Sequence, residues 1–352
     1  MATDQRSRAT VRFGVIGMNH NHIFGMTDLL LDAGAELVTC YAAEADLAAE
    51  FMTRYPQARL ARSAEEVLSD ETIQLIASAA ISSERAGVGL ATLRHGKDFL
   101  SDKPGFTSLD QLAAARQLQR ETGRIYSVCY SERFGNRATV RAGELVAAGA
   151  IGRVLQTIGL GPHRLNAAGR PAWFFDHARY GGILCDIGSH QADQFLFFTG
   201  STSAEIVASQ VANFAHPEYP ELEDFGDMVL RGDRGTGYVR VDWFTPDGLN
   251  SWGDGRLTIL GTEGFIEIRK NSDLAGRTGG NHLFLVDAHG TQYVDCESVA
   301  LPFGPQLLDD IRDRTETAMP QAHAFLASEL ALRAQLQAQP VVVHPAAAAA
   351  RR

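Results

Sequence analysis

The chain has 352 residues, with 32 Lys and Arg against 42 Asp and Glu, a formal net charge of −10, and 45% hydrophobic and 21% charged residues. That is the composition of a globular protein of about two domains of ordinary size, and its acidic balance argues against nucleic acid or an anionic membrane surface as a partner. The cysteines (Cys40, Cys129, Cys185, Cys296) are scattered and form no CxxC pair, the first ten residues are polar, and no apolar run reaches the ~20 residues of a membrane span, so free thiols and a cytoplasmic location are expected.

Val11–Ile16 is an apolar run that predicts a strand, and the next stretch sets Ile23, Met26, Leu30 and Ala33 on one helical face before stopping at Gly34. A second strand is expected at Glu36–Tyr41 and a second helix over Asp46–Tyr55. Ser63 with Glu66 three residues later forms a capping box for a short helix, and Ile73–Ala80 is apolar enough for a strand buried on both faces. After a helix ending near Gly96 come a strand at Lys97–Ser101, a helix capped by Thr107 and closed by Gly123, and a strand at Ile125–Tyr130. Strands alternating with helices imply an α/β, doubly wound parallel sheet whose ligand crevice lies at the carboxyl ends of the strands.

From Phe134 the rhythm changes. A helix at Thr139–Ala148 leads to a strand at Arg153–Gly161, a loop rich in Gly, Pro and Arg, and a helix around Gly188–Phe198. Strands follow in succession at Ala204–Asn213, Asp227–Leu230, Tyr238–Phe244, Leu257–Leu260, Phe265–Arg269 and Leu283–Val286, several joined by hairpin-type turns. They predict an α+β domain with a large, mostly antiparallel open sheet and helices on one face. Gln321–Gln337 is a closing helix, and the Ala-rich end is expected to be a flexible tail. The expected division is a dinucleotide-binding domain over 1–133, a substrate and oligomerisation domain over 134–340, and the tail over 341–352.

Three segments can carry chemistry. The first turn, Gly17-Met18-Asn19-His20-Asn21-His22, stands between strand and helix, where a GxGxxG fingerprint would bind a pyrophosphate on a helix N-terminus. Only Gly17 is glycine there, Asn19 tolerates left-handed backbone angles, and His22 is bulky. An α/β turn without nucleotide fits this motif equally well. Past the second strand, the place of a ribose-binding acid falls near Ala42, with Glu44 two residues later and no Lys or Arg following closely; these residues do not choose between NAD and NADP, with a lean to NAD through Glu44. Asp102-Lys103-Pro104 closes the fifth strand, so Lys103 can point into the crevice and stabilise an alkoxide, with Pro104 fixing the turn; a surface lysine is the ordinary alternative. In Gly181-Gly182-Ile183-Leu184-Cys185-Asp186-Ile187-Gly188-Ser189-His190, Asp186 and His190 are four apart and would share a helix face, the carboxylate orienting the imidazole as a base; Asp193 continues the stripe. A polar face with a structural ion pair is the plain alternative. His20, His22, His163 and His190 match no established zinc spacing, so no metal is expected.

Taken together, Asp102-Lys103-Pro104, the Gly181-Gly182 through Asp186, His190 and Asp193 segment, Arg133-Phe134, and Gly149-Ala150-Ile151-Gly152-Arg153-Val154 resemble the Gfo/Idh/MocA oxidoreductase family over nearly the whole chain. The resemblance implies a Rossmann-type domain, NAD or NADP as cofactor, and a homodimer or homotetramer built through the open sheet face. It implies that Lys103 contacts the substrate hydroxyl and nicotinamide, that His190 takes the hydroxyl proton, and that Asp186 assists. Sugars, inositols or related polyols are the implied substrates. The cofactor side would comprise Gly17, Asn19, His20, His22, Glu44, Ser82, Lys103 and Pro104. It departs from the family at the glycine turn, at Ala42 in place of the ribose acid, and at Ala80-Ile81-Ser82-Ser83-Glu84-Arg85. Candidate substrate contacts are Tyr130, Arg133, His163, Arg164, Trp173, Asp176 and His190. Two other functions share the fold: elimination or hydrolysis through a transient keto-sugar with retained NAD, and a non-catalytic sugar sensor.

Overall fold

The computed structural model describes residues 9–341. Within them Val341, expected to begin the tail, donates its N–H to the Val211 carbonyl at 2.8 Å; the rest of that segment, 342–352, lies outside the described residues.

Six strands form the first sheet: β1 (Arg12–Ile16), β2 (Glu36–Tyr41), β3 (Arg59–Leu60), β4 (Leu75–Ser78), β5 (Asp98–Asp102) and β6 (Tyr126–Cys129). Their order is β3-β2-β1-β4-β5-β6, parallel throughout, which is the doubly wound arrangement expected. The apolar run read as one strand over 73–80 keeps a ladder only at β4; Ala79 and Ala80 extend past it to form the crevice floor beside Gly17. One cap differs from expectation. Ser108, not Thr107, caps the helix Leu109–Thr122 by accepting from the Gln111 amide, while Thr107 turns to the Gln111 side chain.

Nine strands form the second sheet: β7 (Val154–Pro162), β8 (Ala204–Ala212), β9 (Phe225–Gly232), β10 (Thr236–Asp242), β11 (Arg256–Gly261), β12 (Gly264–Arg269), β13 (His282–Asp287), β14 (Gly290–Val294) and β15 (Gln339–Pro340). The order is β14-β13-β12-β11-β7-β10-β9-β8-β15, antiparallel except at β7–β10 and β8–β15. Helices Arg137–Ala147, Gly188–Thr199 and Gln321–Gln337 pack on one face. The other face shows Ile158, Val229, Leu260 and Phe265 to solvent.

The two sheets are held by one continuous apolar core, joined through the Phe106, Tyr126 and Phe325 rings. Helix Gln321–Gln337 crosses back to the first sheet. Gln321 Oε1 accepts from the Tyr126 amide at 2.8 Å, and Ser328 Oγ lies 3.0 Å from the Tyr130 hydroxyl. Buried polar groups satisfied across the junction fix the angle between the halves. That fixes the cleft.

Candidate active site

Lys103 follows the last residue of β5 and is joined to Pro104 by a cis peptide bond. The lysine is buried, and its Nζ donates to Asp186 Oδ1 at 2.6 Å. Asp186 ends the short helix Ile183–Asp186, and a turn at Ile187 separates it from Gly188–Thr199, which carries His190. Gly182 sits at φ +89°, and a Cβ there would stand 2.2 Å from the Gln335 side chain, so the turn into this segment needs glycine. The expected partnership of Asp186 with His190 on one helix face does not form, because the lysine takes the carboxylate. Burial alone would raise the Asp186 carboxyl; Lys103 outweighs it and keeps the group ionised.

Lys103, Asp186 and His190 all line one cavity of about 280 Å³. Four buried polar atoms of residues lining this cavity lack a hydrogen-bond partner among the described residues: His190 Nδ1, Glu132 Oε1, Arg164 Nε and Trp243 Nε1. Glu132 Oε2 accepts from Lys270 Nζ and from Gln191 Nε2, each at 2.7 Å. Burial opposes ionisation of Glu132, but the Lys270 charge overcomes it and holds the carboxyl far below its ordinary range. Glu132 is therefore the carboxylate whose charge favours protonated His190. Burial, helped by Lys103, wins against it and pushes the imidazole down to about 3. His163 is pushed down to about 4, chiefly by burial. Its Nδ1 donates to the Gly161 carbonyl at 3.1 Å, which fixes the tautomer and leaves Nε2 an acceptor.

On the cofactor side, Gly17 has φ +81°, and a Cβ would stand 2.6 Å from Ala80 Cβ. The turn is tied down by Gly17 N–H to the Tyr41 carbonyl and His20 N–H to the Ala79 carbonyl, both 2.9 Å. Helix His22–Asp32 follows; the Asn21 side chain does not cap it, and its first amides are engaged within the turn, His22 N–H on His20 Nδ1 at 3.2 Å, Ile23 N–H on the His20 carbonyl and Phe24 N–H on the Asn21 carbonyl. Glu44 Oε1 accepts from Asn19 Nδ2 at 2.8 Å, which brings the acid after β2 to the turn. Ser82 opens helix Ser82–Arg94 and is buried. Arg85 of that helix donates to the carbonyls of Lys103 and Pro104. A tight glycine turn pressed on the sheet and a nearby acid fit a dinucleotide.

His20 and His22 converge on Asp102: His22 Nδ1 is 2.9 Å from Oδ1 and His20 Nδ1 is 3.8 Å from Oδ2. Their donor atoms lie within 4.8 Å of one another, close enough to chelate a cation. Arg85 Nη2, however, already stands 2.9 Å from Asp102 Oδ2 with both side chains buried. The carboxylate charge is thereby matched, and the group offers a cation no net negative charge. It braces the glycine turn against the end of β5.

Of the expected substrate contacts, His163, Arg164 and His190 line the cavity. Arg164 spends its guanidinium on the Pro246 and Leu249 carbonyls and on Asp247, securing the loop. Tyr130, Arg133, Trp173 and Asp176 are not part of the lining, and each is engaged elsewhere. The Tyr130 hydroxyl meets Ser328. Arg133 makes a bidentate pair with Asp193, both contacts 2.7 Å, so Asp193 does not continue a catalytic stripe. Trp173 is buried beside Phe174. Asp176 accepts from the Ala178 amide as the cap of His177–Tyr180. In place of Trp173, the aromatic side chains on the cavity are Phe174, Trp243 and Trp252. The signal for the last two was an aromatic at the end of β10 and another in the loop after it, elements that pair with the Pro162–Arg164 segment.

Comparison with known proteins agrees with this architecture. Residues 139–267 match the model described as GFO/IDH/MocA C-terminal domain. A crystal structure from Erwinia carotovora atroseptica SCRI1043, described as an oxidoreductase, is 50% identical, covers 95% of this chain and 100% of its own, and superposes with a TM-score of 0.92. The scyllo-inositol 2-dehydrogenase (NAD(+)) of Bacillus subtilis (strain 168) is 26% identical over 65% of this chain and 62% of its own length. The 1,5-anhydro-D-fructose reductase of Ensifer adhaerens is 26% identical over 72% of this chain and 74% of its own.

Proposed function

The chain belongs to the Gfo/Idh/MocA family of oxidoreductases, and from that membership and the geometry of its cleft we propose that it transfers a hydride between a carbinol carbon of a sugar, inositol or related polyol and a nicotinamide dinucleotide. The observation that carries this reading is the meeting of Lys103 and His190, from opposite halves of the chain, on one buried cavity beside the glycine turn. When bound, the nicotinamide supplies the hydride acceptor or donor. Lys103 holds the reacting oxygen and stabilises the charge it develops. His190 is neutral, so it can accept the hydroxyl proton, and Glu132 offsets the positive charge the ring then carries. Asp186 fixes the Lys103 ammonium rather than the imidazole.

Glu44 beside Asn19 favours NAD, because a 2′-phosphate there would face a carboxylate; the name of the Bacillus subtilis relative points the same way. The apolar uncovered face of the second sheet supports a homodimer or homotetramer. Among the described residues no helix is long and apolar enough to cross a membrane.

The test is isotopic. With NAD+ or NADP+ and a panel of sugars, inositols and polyols, an accepted substrate deuterated at its carbinol carbon should pass the label to the nicotinamide. Release of the label to water would contradict hydride transfer. The pH profile adds a second expectation. With His190 and His163 pushed down to about 3 and about 4, both stay neutral as pH falls through the ordinary histidine value of about 6.5. The profile of kcat/KM should therefore remain level from about pH 8 to about pH 5, where an unperturbed histidine base would lose about tenfold per unit below its pKa. Stability moves with the same groups: below about pH 6.5 the unfolded chain takes up protons these rings refuse, so the folded state weakens as pH falls.

A further inference from the structure

The charges around the cavity do not balance, and the remainder sits on Arg170. Of the five charged side chains in the lining, Lys103 is paired with Asp186, Glu132 with Lys270, and Arg164 with Asp247. The imidazoles of His163 and His190 are neutral. Arg170 has no ion-pair partner among the described residues. Its Nε donates to the Leu165 carbonyl at 3.0 Å, which leaves both terminal nitrogens without an acceptor among the described residues. The guanidinium lies 4.4 Å from the centroid of Phe174 and 5.0 Å from that of Trp243. These rings orient the cation without neutralising it. Arg170 lines the same cavity as Lys103 and Asp186, and Asp186, already held by Lys103, is not in ion-pair contact with it.

Resting on the hydride-transfer reading, we infer that the substrate is a carboxylated polyol, such as an aldonate, uronate or polyhydroxy acid, whose carboxylate is gripped by the two terminal nitrogens of Arg170 while its carbinol reaches Lys103 and His190. A planar fork matches a planar carboxylate through two parallel charge-assisted hydrogen bonds. One free cation suits a monoanion. A phosphate monoester, carrying about −1.5 to −2 charges at neutral pH, would leave excess negative charge where the described lining residues offer no second unpaired cation. The aromatic faces of Trp243, Trp252 and Phe174 are left for the carbon chain.

Trp243 and Trp252 make binding visible by intrinsic fluorescence, without turnover. The purified full chain is titrated with matched pairs that differ only by a carboxylate in place of CH2OH: D-gluconate and D-glucitol, L-threonate and L-threitol, D-galactonate and galactitol. In at least one pair the carboxylate should bind at least about tenfold more tightly, the worth of a charge-assisted hydrogen bond. Arg170→Met should bring that pair to near parity, and Arg170→Lys should retain part of the preference. Far-ultraviolet circular dichroism and NADH binding, measured on the same samples, report whether each variant is folded. If Arg170→Met does not fold, Arg170→Lys alone decides, because it keeps the charge and loses the fork. Equal or tighter binding of every neutral member, binding of neither member in any pair, or a preference untouched in the folded variants would overturn the inference. Failure of NADH to bind while the carboxylate preference holds would remove the redox reading and leave the carboxylate site standing.

Discussion

Lys103→Met should lower kcat/KM by about 10²–10³-fold, the loss that follows removal of a donor aimed at a developing oxyanion. It should also cost about 3–5 kcal/mol of stability, because Asp186 would be left buried without its counter-charge. The two effects have different origins and can be separated. Lys103 Nζ stands 2.6 Å from Asp186 Oδ1 with both groups largely shielded from water. Adding Asp186→Asn to Lys103→Met removes the stranded charge, so the double variant should recover most of the stability and none of the activity. Denaturant unfolding and steady-state kinetics on the two single variants and the double close the cycle. Recovery of activity along with stability would mean that Lys103 is only a buried structural cation.

Asp193→Ala should be about as destabilising, by roughly 3–5 kcal/mol, while leaving the chemistry of the folded fraction largely intact. Asp193 is fully buried and accepts two hydrogen bonds from Arg133 and one, at 2.8 Å, from His323 Nε2. Burial works against its ionisation, but Arg133 and His323 prevail and hold the carboxyl down to about 2. The three residues come from the short helix Ser131–Phe134 that follows β6, from helix Gly188–Thr199 and from helix Gln321–Gln337. Without the carboxylate, Arg133 would keep only the rings of Phe134 and Phe197, 4.1 and 4.7 Å from its guanidinium carbon. The midpoint of urea unfolding measures the cost. Asp193→Leu combined with Arg133→Met, which takes both charges away, should be milder than Asp193→Ala alone. A single variant as stable as the parent would show that the pair does not clamp the two halves.

The parts of this structure legible in the sequence are those governed by local periodicity. Alternation of apolar runs with amphipathic stretches predicted the parallel sheet, and the helix Gln321–Gln337 is where its spacing places it. What escaped was short, polar or distant. β3 and β15 are two residues each, and every residue of β14 is exposed or half-exposed, so neither length nor alternation marks them. Helix Phe303–Asp313 was missed although its apolar positions do fall on one face.

At the site, the i,i+4 spacing of Asp186 and His190 predicts a shared helix face, and Ile187 between them keeps right-handed helical angles, φ −78° and ψ −37°, yet the two side chains do not pair. No local rule shows that a lysine 83 residues away would take the carboxylate. Glu132 was hidden for the same reason, since its partner Lys270 is 138 residues along the chain. Its place just after β6, where strand ends face a crevice, was the available signal. Arg133, its neighbour, drew attention instead and proved to be half of the Asp193 clamp.

The central claim is that a nicotinamide ring lies in the Lys103–His190 cleft, within reach of Trp243 and Trp252. Titrating cofactor-stripped protein with NADH and, separately, NADPH, while following energy transfer from tryptophan to the nicotinamide, tests it most directly. The geometry predicts saturable transfer with NADH, at lower concentrations than with NADPH. Absence of transfer and of any binding with both dinucleotides would contradict the redox assignment.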